Sequence, residues 1–381
     1  MKQYQAEEVV SRGAGKEAVL YPWLDWVRFG AALQVLIVHA RFFTFVEYGQ
    51  LDPASKSKFA TLWFALTRTG LESVLVFFVL SGFLVGGKVI ERVANGTFDA
   101  RSYIIDRFSR IYTPLVPALL FALLVDLFFK SSPRAGEYIG NLFSLQGVFV
   151  DPVHTIGSIW SLSYEVWFYI LAGSLGVVLL NRLRPSRGAL LLLLASLIIF
   201  GQLGASLLFC WVLGALVYLF PRKDFSKVEA VSGIVLFLAG MVMIQISLSS
   251  RSLSLLSHPI IGPMGQIILS SGITLLIRNL CTITTSPGSQ SSFARIGSAM
   301  AAFSYTLYLI HYPVMIALQR MGYARQTTIS IGNLGLFVMR IAVCLLVSYG
   351  FYLVFERNTP IIRRFLRDRL AASSKRVPPV R

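Results

Sequence analysis

Apolar runs long enough to cross a bilayer recur along almost the whole chain, and that pattern decides most of what it can fold into. A bilayer's hydrocarbon core takes a helix of about 17–25 mostly apolar residues. Ten segments meet or approach this: residues 23–43, 61–87, 111–129, 158–180, 188–204, 206–220, 231–248, 259–277, 298–319 and 332–355. The fifth and sixth are short and parted only by the Gly-Gln-Leu-Gly at 201–204, so they read as a hairpin or as one broken helix. Only 14% of the 381 residues are charged, against about 25% in a soluble domain. Too little polar surface remains for a water-exposed globule. The sequence predicts an all-α polytopic membrane protein, about ten transmembrane helices in one bundle at 23–355, between a segment at 1–22 and a basic tail at 356–381. Residues 1–22 carry charges and no apolar core, so no cleavable signal is expected.

The net charge of +17 would suggest a nucleic-acid partner in a soluble protein. Its distribution argues otherwise. With the N-terminus inside, 24 of the 35 Lys and Arg fall in inner segments and 7 in outer ones. That is the positive-inside bias, and it predicts an even number of spans in an inner (plasma) membrane, with both termini cytoplasmic. The tail run RRFLRDRL is expected to lie against anionic lipid. Cys210, Cys281 and Cys344 have no ligand or pairing spacing and read as small hydrophobes. GAGK at 13–16 is a fragment of a phosphate loop without the flanking strand or Ser/Thr. No metal-ligand cluster is visible.

An ionisable side chain at membrane depth costs about 2.5–3.5 kcal/mol on insertion scales, so it is retained for a partner or a function. In the first span, Asp25, Arg28 and His39 share one stripe. Eleven residues bring His39 about 20° past three full turns from Arg28 and about 16 Å along the axis, and Asp25 lies about 40° off that line. Arg41 marks the outer interface. Asp25 and Arg28 can snorkel to the nearer interface, but a short imidazole cannot. His39 is thus the candidate to take a proton from a hydroxyl. In DRFSRIYTP, placed before the third span, Arg107 and Arg110 share a helical face. They read first as ordinary basic flanking of a span, and second as a pair able to grip phosphates.

The fourth span opens SIWSLSYEVWFYI, with Glu165 among Trp160, Tyr164, Trp167 and Tyr169. The aromatics suit an interfacial belt, whereas Glu165 needs a cation or hydroxyl. His311, in the ninth span, suits a packing role or an active one equally. His154 and His258 fall in outer loops. Arg68 and Glu72, four apart, can pair with each other, and Arg340 in the tenth span needs a carboxylate.

Six motifs stand in order along residues 24–362: LDWVRFGAALQVLIVHA, VFFVLSGFLVGG, YIIDRFSRIYTPLVP, SIWSLSYEVWFYI, FSYTLYLIHYPV and SYGFYLVFERNTP. In this the chain resembles the integral-membrane acyltransferases of acyltransferase family three. The resemblance implies a ten-helix bundle that moves an acyl group, usually acetyl, from cytoplasmic acyl-CoA to a hydroxyl of a cell-surface or exported glycan. By position, Arg28 and His39 match the family's first-helix Arg and His, Arg107 and Arg110 its Arg-x-x-Arg, and Glu165 the Glu of its Trp-Ser-Leu motif. The implied roles are catalysis by His39 and Glu165 and donor binding by Arg107, Arg110 and Arg28. His311, Asp25, Tyr164 and Trp160 would support the substrate.

The expected partners are lipid, acetyl-CoA and a glycan or lipid-linked saccharide, with no metal and no nucleic acid. His39 acts either as a general base or as the carrier of the acyl group. Val166, Trp167 and Leu75 replace residues that are polar or acidic in many members, which bears on the acceptor more than on the reaction. With a tail of about 25 residues after the last span, the extracytoplasmic hydrolase-like domain that many relatives carry is not expected here. Two competing classes are a secondary transporter of a small anionic or sugar solute, whose paired broken helices the sequence lacks, and a purely structural membrane protein, which leaves the buried charges unexplained.

Overall fold

In a computed structural model, residues 21–181, 184, 186–249, 259–284 and 291–374 are described; most of segment 1–22 (with GAGK), His258 and the end of the tail lie outside them. Apolar helices dominate because lipid supplies no partner for backbone N–H and C=O, and a helix pairs them internally. No strand occurs among the described residues, only two isolated bridges. Helix α1 spans Pro22–Thr44, and Lys58–Ala94 is a broken run of α2 (Lys58–Leu66), α3 (Gly70–Ser81), a π-helical turn at Gly82–Gly87 and α4 (Lys88–Ala94). Then follow α5 (Ala100–Phe128), α6 (Ala135–Leu142), α7 (Trp160–Leu180), α8 (Arg187–Leu203) and α9 (Ala205–Leu219). The chain continues through α10 (Lys227–Ser249), α11 (Ile261–Leu280), α12 (Ser292–Ala302), α13 (Ser304–Arg320), α14 (Ile331–Val354) and α15 (Thr359–Ser374).

Every expected apolar segment is helical. Seven helices among the described residues are long and apolar enough to cross a membrane, and α12 with α13, bent by 47°, makes an eighth. The other two, α8 and α9, have 17 and 15 residues. At about 1.5 Å per residue each falls short of a hydrocarbon core of about 30 Å. They are parted by Gly204 alone, whose φ of +129° disfavours any side chain.

One boundary shifts by a functional distance. The third span was expected to start near 111, yet α5 starts at Ala100, so Arg107 and Arg110 stand on the helix rather than in a loop before it. The cause is local. The Asp99 carboxylate accepts from the backbone N–H of Arg101 and Ser102 at 3.1 Å each, capping the helix about three turns early.

The core lies where α1, α3, α5, α7, α9 and α13 converge. Phe168 of α7 stacks on Phe200 of α8 at 5.0 Å and on Trp211 of α9 at 5.3 Å, joining three helices through one ring. Helix α9 crosses α3 at backbone contact: a Cβ on Gly214 would strike the Val79 carbonyl, and one on Gly82 the Trp211 carbonyl. Small residues allow such approach where dispersion, not hydrophobicity, drives association. The exposed Val231, Ile234, Val235 and Leu238 of α10 suit a lipid-facing surface.

Candidate active site

Two histidines 272 residues apart meet between α1 and α13. His311 Nε2 lies 3.0 Å from His39 Nδ1, His311 Nδ1 2.9 Å from the Leu307 carbonyl, and His39 Nδ1 3.0 Å from the Val35 carbonyl. These contacts assign the protons of two neutral rings. A carbonyl only accepts, so His311 carries its proton on Nδ1 and presents a lone pair at Nε2. His39 then donates from Nδ1, shared between Val35 O and His311, and its own Nε2 keeps a lone pair. That nitrogen can act as a base or nucleophile. Tyr312 packs edge-on to the His39 ring at 5.1 Å, and the Cys344 thiol donates to the His311 carbonyl at 3.5 Å.

Glu165 sits on the inner face of α7 and accepts from Ser81 Oγ of α3 at 3.1 Å and from the Tyr169 hydroxyl one turn on. Trp211 Nε1 of α9 donates to Ser81 Oγ at 3.2 Å, so the carboxylate is the end of a relay of donors. The Arg107 guanidinium lies over the Tyr169 ring at 5.4 Å, and the Tyr103 hydroxyl donates to the Tyr169 carbonyl at 2.9 Å.

Glu165 opens into a cavity of about 1100 Å³ that reaches the basic end of the bundle. Small-molecule pockets run to about 300–1,000 Å³, so this one suits a cofactor-sized ligand. Arg28, Arg107 and Arg110 line it at depth; Lys88 and Arg92 from α4 and Arg363, Arg364 and Arg367 from α15 line its mouth. These eight cations face four carboxylates, Glu91, Asp106, Glu165 and Asp368. The basic tail, expected against lipid, docks by one face on α5: Asp106 holds Arg367 at 2.7 Å and Arg363 at 3.4 Å.

The histidine pair does not line this cavity. Tyr308 does, and its ring lies 6.1 Å from that of His311. Its hydroxyl donates to the Ser158 carbonyl and accepts from Ser161 Oγ at 2.7 Å, which pins it across the gap between α13 and the start of α7. The expected Asp25–Arg28–His39 stripe is therefore divided: Arg28 faces the cavity, Asp25 is buried without lining it, and His39 stands beyond Tyr308. Tyr164 and Trp160 also lie off the cavity. The Tyr164 hydroxyl donates to the Leu203 carbonyl, tying α7 to α8, and Trp160 packs on Tyr164 at 5.9 Å.

Sequence reasoning passed over three groups here. Tyr308 offers no charge to notice. Glu356, buried in the FERNTP motif, accepts from the Thr306 N–H at 3.1 Å, with Arg110 and Arg28 close enough to act on its charge; a buried acid just past a helix end was the available signal. At the far end, Asp126 gathers Thr155 Oγ1 at 2.6 Å, the Tyr138 hydroxyl at 2.7 Å and Arg320 at 2.8 Å, clasping the loop before α7 to the end of α13. Glu72 accepts from Gln245 at 2.6 Å, with Arg68 close enough to act on its charge, and one pairing differs from expectation: Arg340 donates to the Tyr323 carbonyl rather than to a carboxylate.

Among known proteins, the chain is similar to O-acetyltransferase OatA of Staphylococcus aureus, in strains NCTC 8325 / PS 47, COL and MRSA252 alike. It is 24% identical to each over 297 residues, 65% of this chain and 46% of the relative. The match spans about half the length of those relatives. No solved structure matches. The family described as "Acyltransferase domain" matches residues 21–353, nearly all of the helical bundle, and the chain belongs to this acyltransferase family three of membrane proteins.

Proposed function

We propose that this protein transfers an acyl group, acetyl in the first instance, from cytoplasmic acyl-CoA to a hydroxyl of a cell-surface or exported glycan. The observation that carries the reading is a cationic cavity whose closed end abuts, through Tyr308, a histidine pair with a lone pair at His39 Nε2. The basic end is taken as cytoplasmic, with both termini inside a plasma membrane.

Arg107 and Arg110, with Arg28 across the cavity, bind the pyrophosphate of the donor through charge-assisted bonds. His39 lies about 16 Å along α1 from Arg28, so the pantetheine arm runs up the cavity past Glu165 and Tyr308. Glu165, already the acceptor of two hydroxyl protons, orients a third donor group on the arm or acceptor.

At the reacting centre His39 Nε2 removes the proton of the acceptor hydroxyl as its oxygen attacks the thioester carbonyl. The carbon–sulfur bond breaks, the thiolate leaves with the electron pair, and the imidazolium returns the proton to it. Alternatively His39 Nε2 itself attacks the carbonyl and thiolate departs with the electron pair; the acceptor hydroxyl then attacks the acyl-imidazole, the nitrogen–acyl bond breaks, and the hydroxyl proton passes to the thiolate. In both routes positive charge appears on His39, and His311 Nε2, fixed by its bond to Leu307, accepts the Nδ1–H and stabilises it.

Purified protein with labelled acetyl-CoA tests the reading: free CoA should appear slowly with water and faster with a glycan acceptor. Binding without cleavage would identify a carrier rather than a transferase.

A further inference from the structure

The family reading accounts for the deep arginines but leaves the five cations at the cavity mouth without a task. Three of them come from α15. Pro360, Arg363, Arg364, Arg367 and Asp368 line the cavity at spacings of three and four residues, one face of a helix. The other face shows Ile361 and Phe365, 67% and 55% exposed, as a helix lying at a lipid interface would. Helix α15 is therefore a wall between lipid and cavity, latched by Asp106.

That latch also sorts its arginines. Asp106 partly neutralises Arg363 and Arg367, whereas Arg364 is exposed and engages in no hydrogen bond or ion pair among the described residues. Lys88 and Arg92 of α4 line the same mouth. Beyond Arg28, Arg107 and Arg110, the cavity therefore carries Arg364, Lys88 and Arg92 from two further helices, more cationic charge than a ligand with a single anionic group needs. Coenzyme A has two: a pyrophosphate, and a 3′-phosphomonoester of about −1.5 to −2 charge at pH 7.

Resting on the donor reading above, we propose that α15 builds a subsite for the 3′-phosphate of the donor, with Arg364 as the residue that distinguishes coenzyme A from dephospho-CoA.

The test displaces labelled acetyl-CoA from the full chain in discs of zwitterionic lipid, using CoA and dephospho-CoA as competitors. Wild type should prefer CoA by about tenfold or more, the worth of one charge-assisted contact. Arg364→Ala should lose most of that preference through weaker CoA binding, and Arg364→Lys should retain part of it. Because Arg364 is exposed, these variants should insert and elute as wild type.

Equal binding of the two competitors by wild type, or an unchanged preference in Arg364→Ala, would overturn the subsite while leaving the donor reading intact. Loss of both competitors alike would assign Arg364 to a part of the donor that the two share, and an effect seen only with anionic lipid would assign it to a lipid headgroup; either refutes the proposal. If labelled acetyl-CoA does not bind wild type at all, the donor reading fails and this one with it.

Discussion

Replacing His311 with Phe separates the two histidines' tasks. The aromatic ring fills the buried site but removes the acceptor 3.0 Å from His39 Nδ1. In the resting state the loss is small, because His39 keeps the Val35 carbonyl at 3.0 Å as a partner, and a neutral hydrogen bond contributes about 0.5–1.5 kcal/mol net. In the transition state His39 carries positive charge, and a bond from a charged donor contributes about 1.5–3 kcal/mol. The barrier should therefore rise by about 1–2 kcal/mol, a fall of roughly 5- to 30-fold in kcat. Donor affinity should stay as in wild type, since His311 does not line the cavity. Stopped assays of CoA release at saturating acetyl-CoA, paired with a binding isotherm, read the two effects separately. An unchanged kcat would refute the assignment of His311 as stabiliser of the His39 cation, and a loss as large as that of His39→Ala would make His311 the base instead.

Three further perturbations test other parts of the account. Arg107→Lys and Arg110→Lys should each weaken acetyl-CoA binding by about tenfold, because an ammonium cannot reproduce the guanidinium fork; isothermal titration of inserted protein would show wild-type affinity if the arginines serve topology alone. A single cysteine at residue 95 should resist an impermeant thiol reagent on intact cells while one at residue 134 reacts, and the opposite pattern would invert the bundle. Gly214→Val should abolish the folded protein in fluorescence-detected gel filtration, since its side chain would meet the Val79 carbonyl; a stable monodisperse variant would show that α3 and α9 do not approach as described.

Hydropathy located the apolar helices because lipid imposes its constraint locally, segment by segment. The start of α5 was missed since its first turns carry Asp106, Arg107 and Arg110, too polar for a hydropathy window, although Asp99 signals a cap. Motif position drew Arg28, Arg107, Arg110 and Glu165 together, and they do share a cavity. The contact between His39 and His311 was beyond reach: each looks like a lone histidine until α1 and α13 pack. Tyr308 shows its place only through Ser158 and Ser161, about 150 residues earlier in the chain. The basic tail matched a lipid-binding pattern, and its apolar face fits one, but Asp106 turns its arginines to the cavity. Likewise nothing local to Arg340 announces a backbone carbonyl as its partner.

His39 carries the central claim, and one paired measurement tests it most directly. Inserted wild type and His39→Ala are each given labelled acetyl-CoA, first without and then with acceptor, and donor affinity, bound label and acylated acceptor are recorded. A positioned base contributes about 10²–10⁴-fold in rate, so His39→Ala should bind donor normally and lose acyl transfer by that factor. His39→Gln should not restore it, having no proton affinity near neutral pH. Label retained by wild type but not by His39→Ala in the absence of acceptor indicates an acyl-imidazole; label on neither indicates direct transfer. Acceptor acylation by His39→Ala at the wild-type rate would contradict the account and leave the histidine pair as packing between α1 and α13.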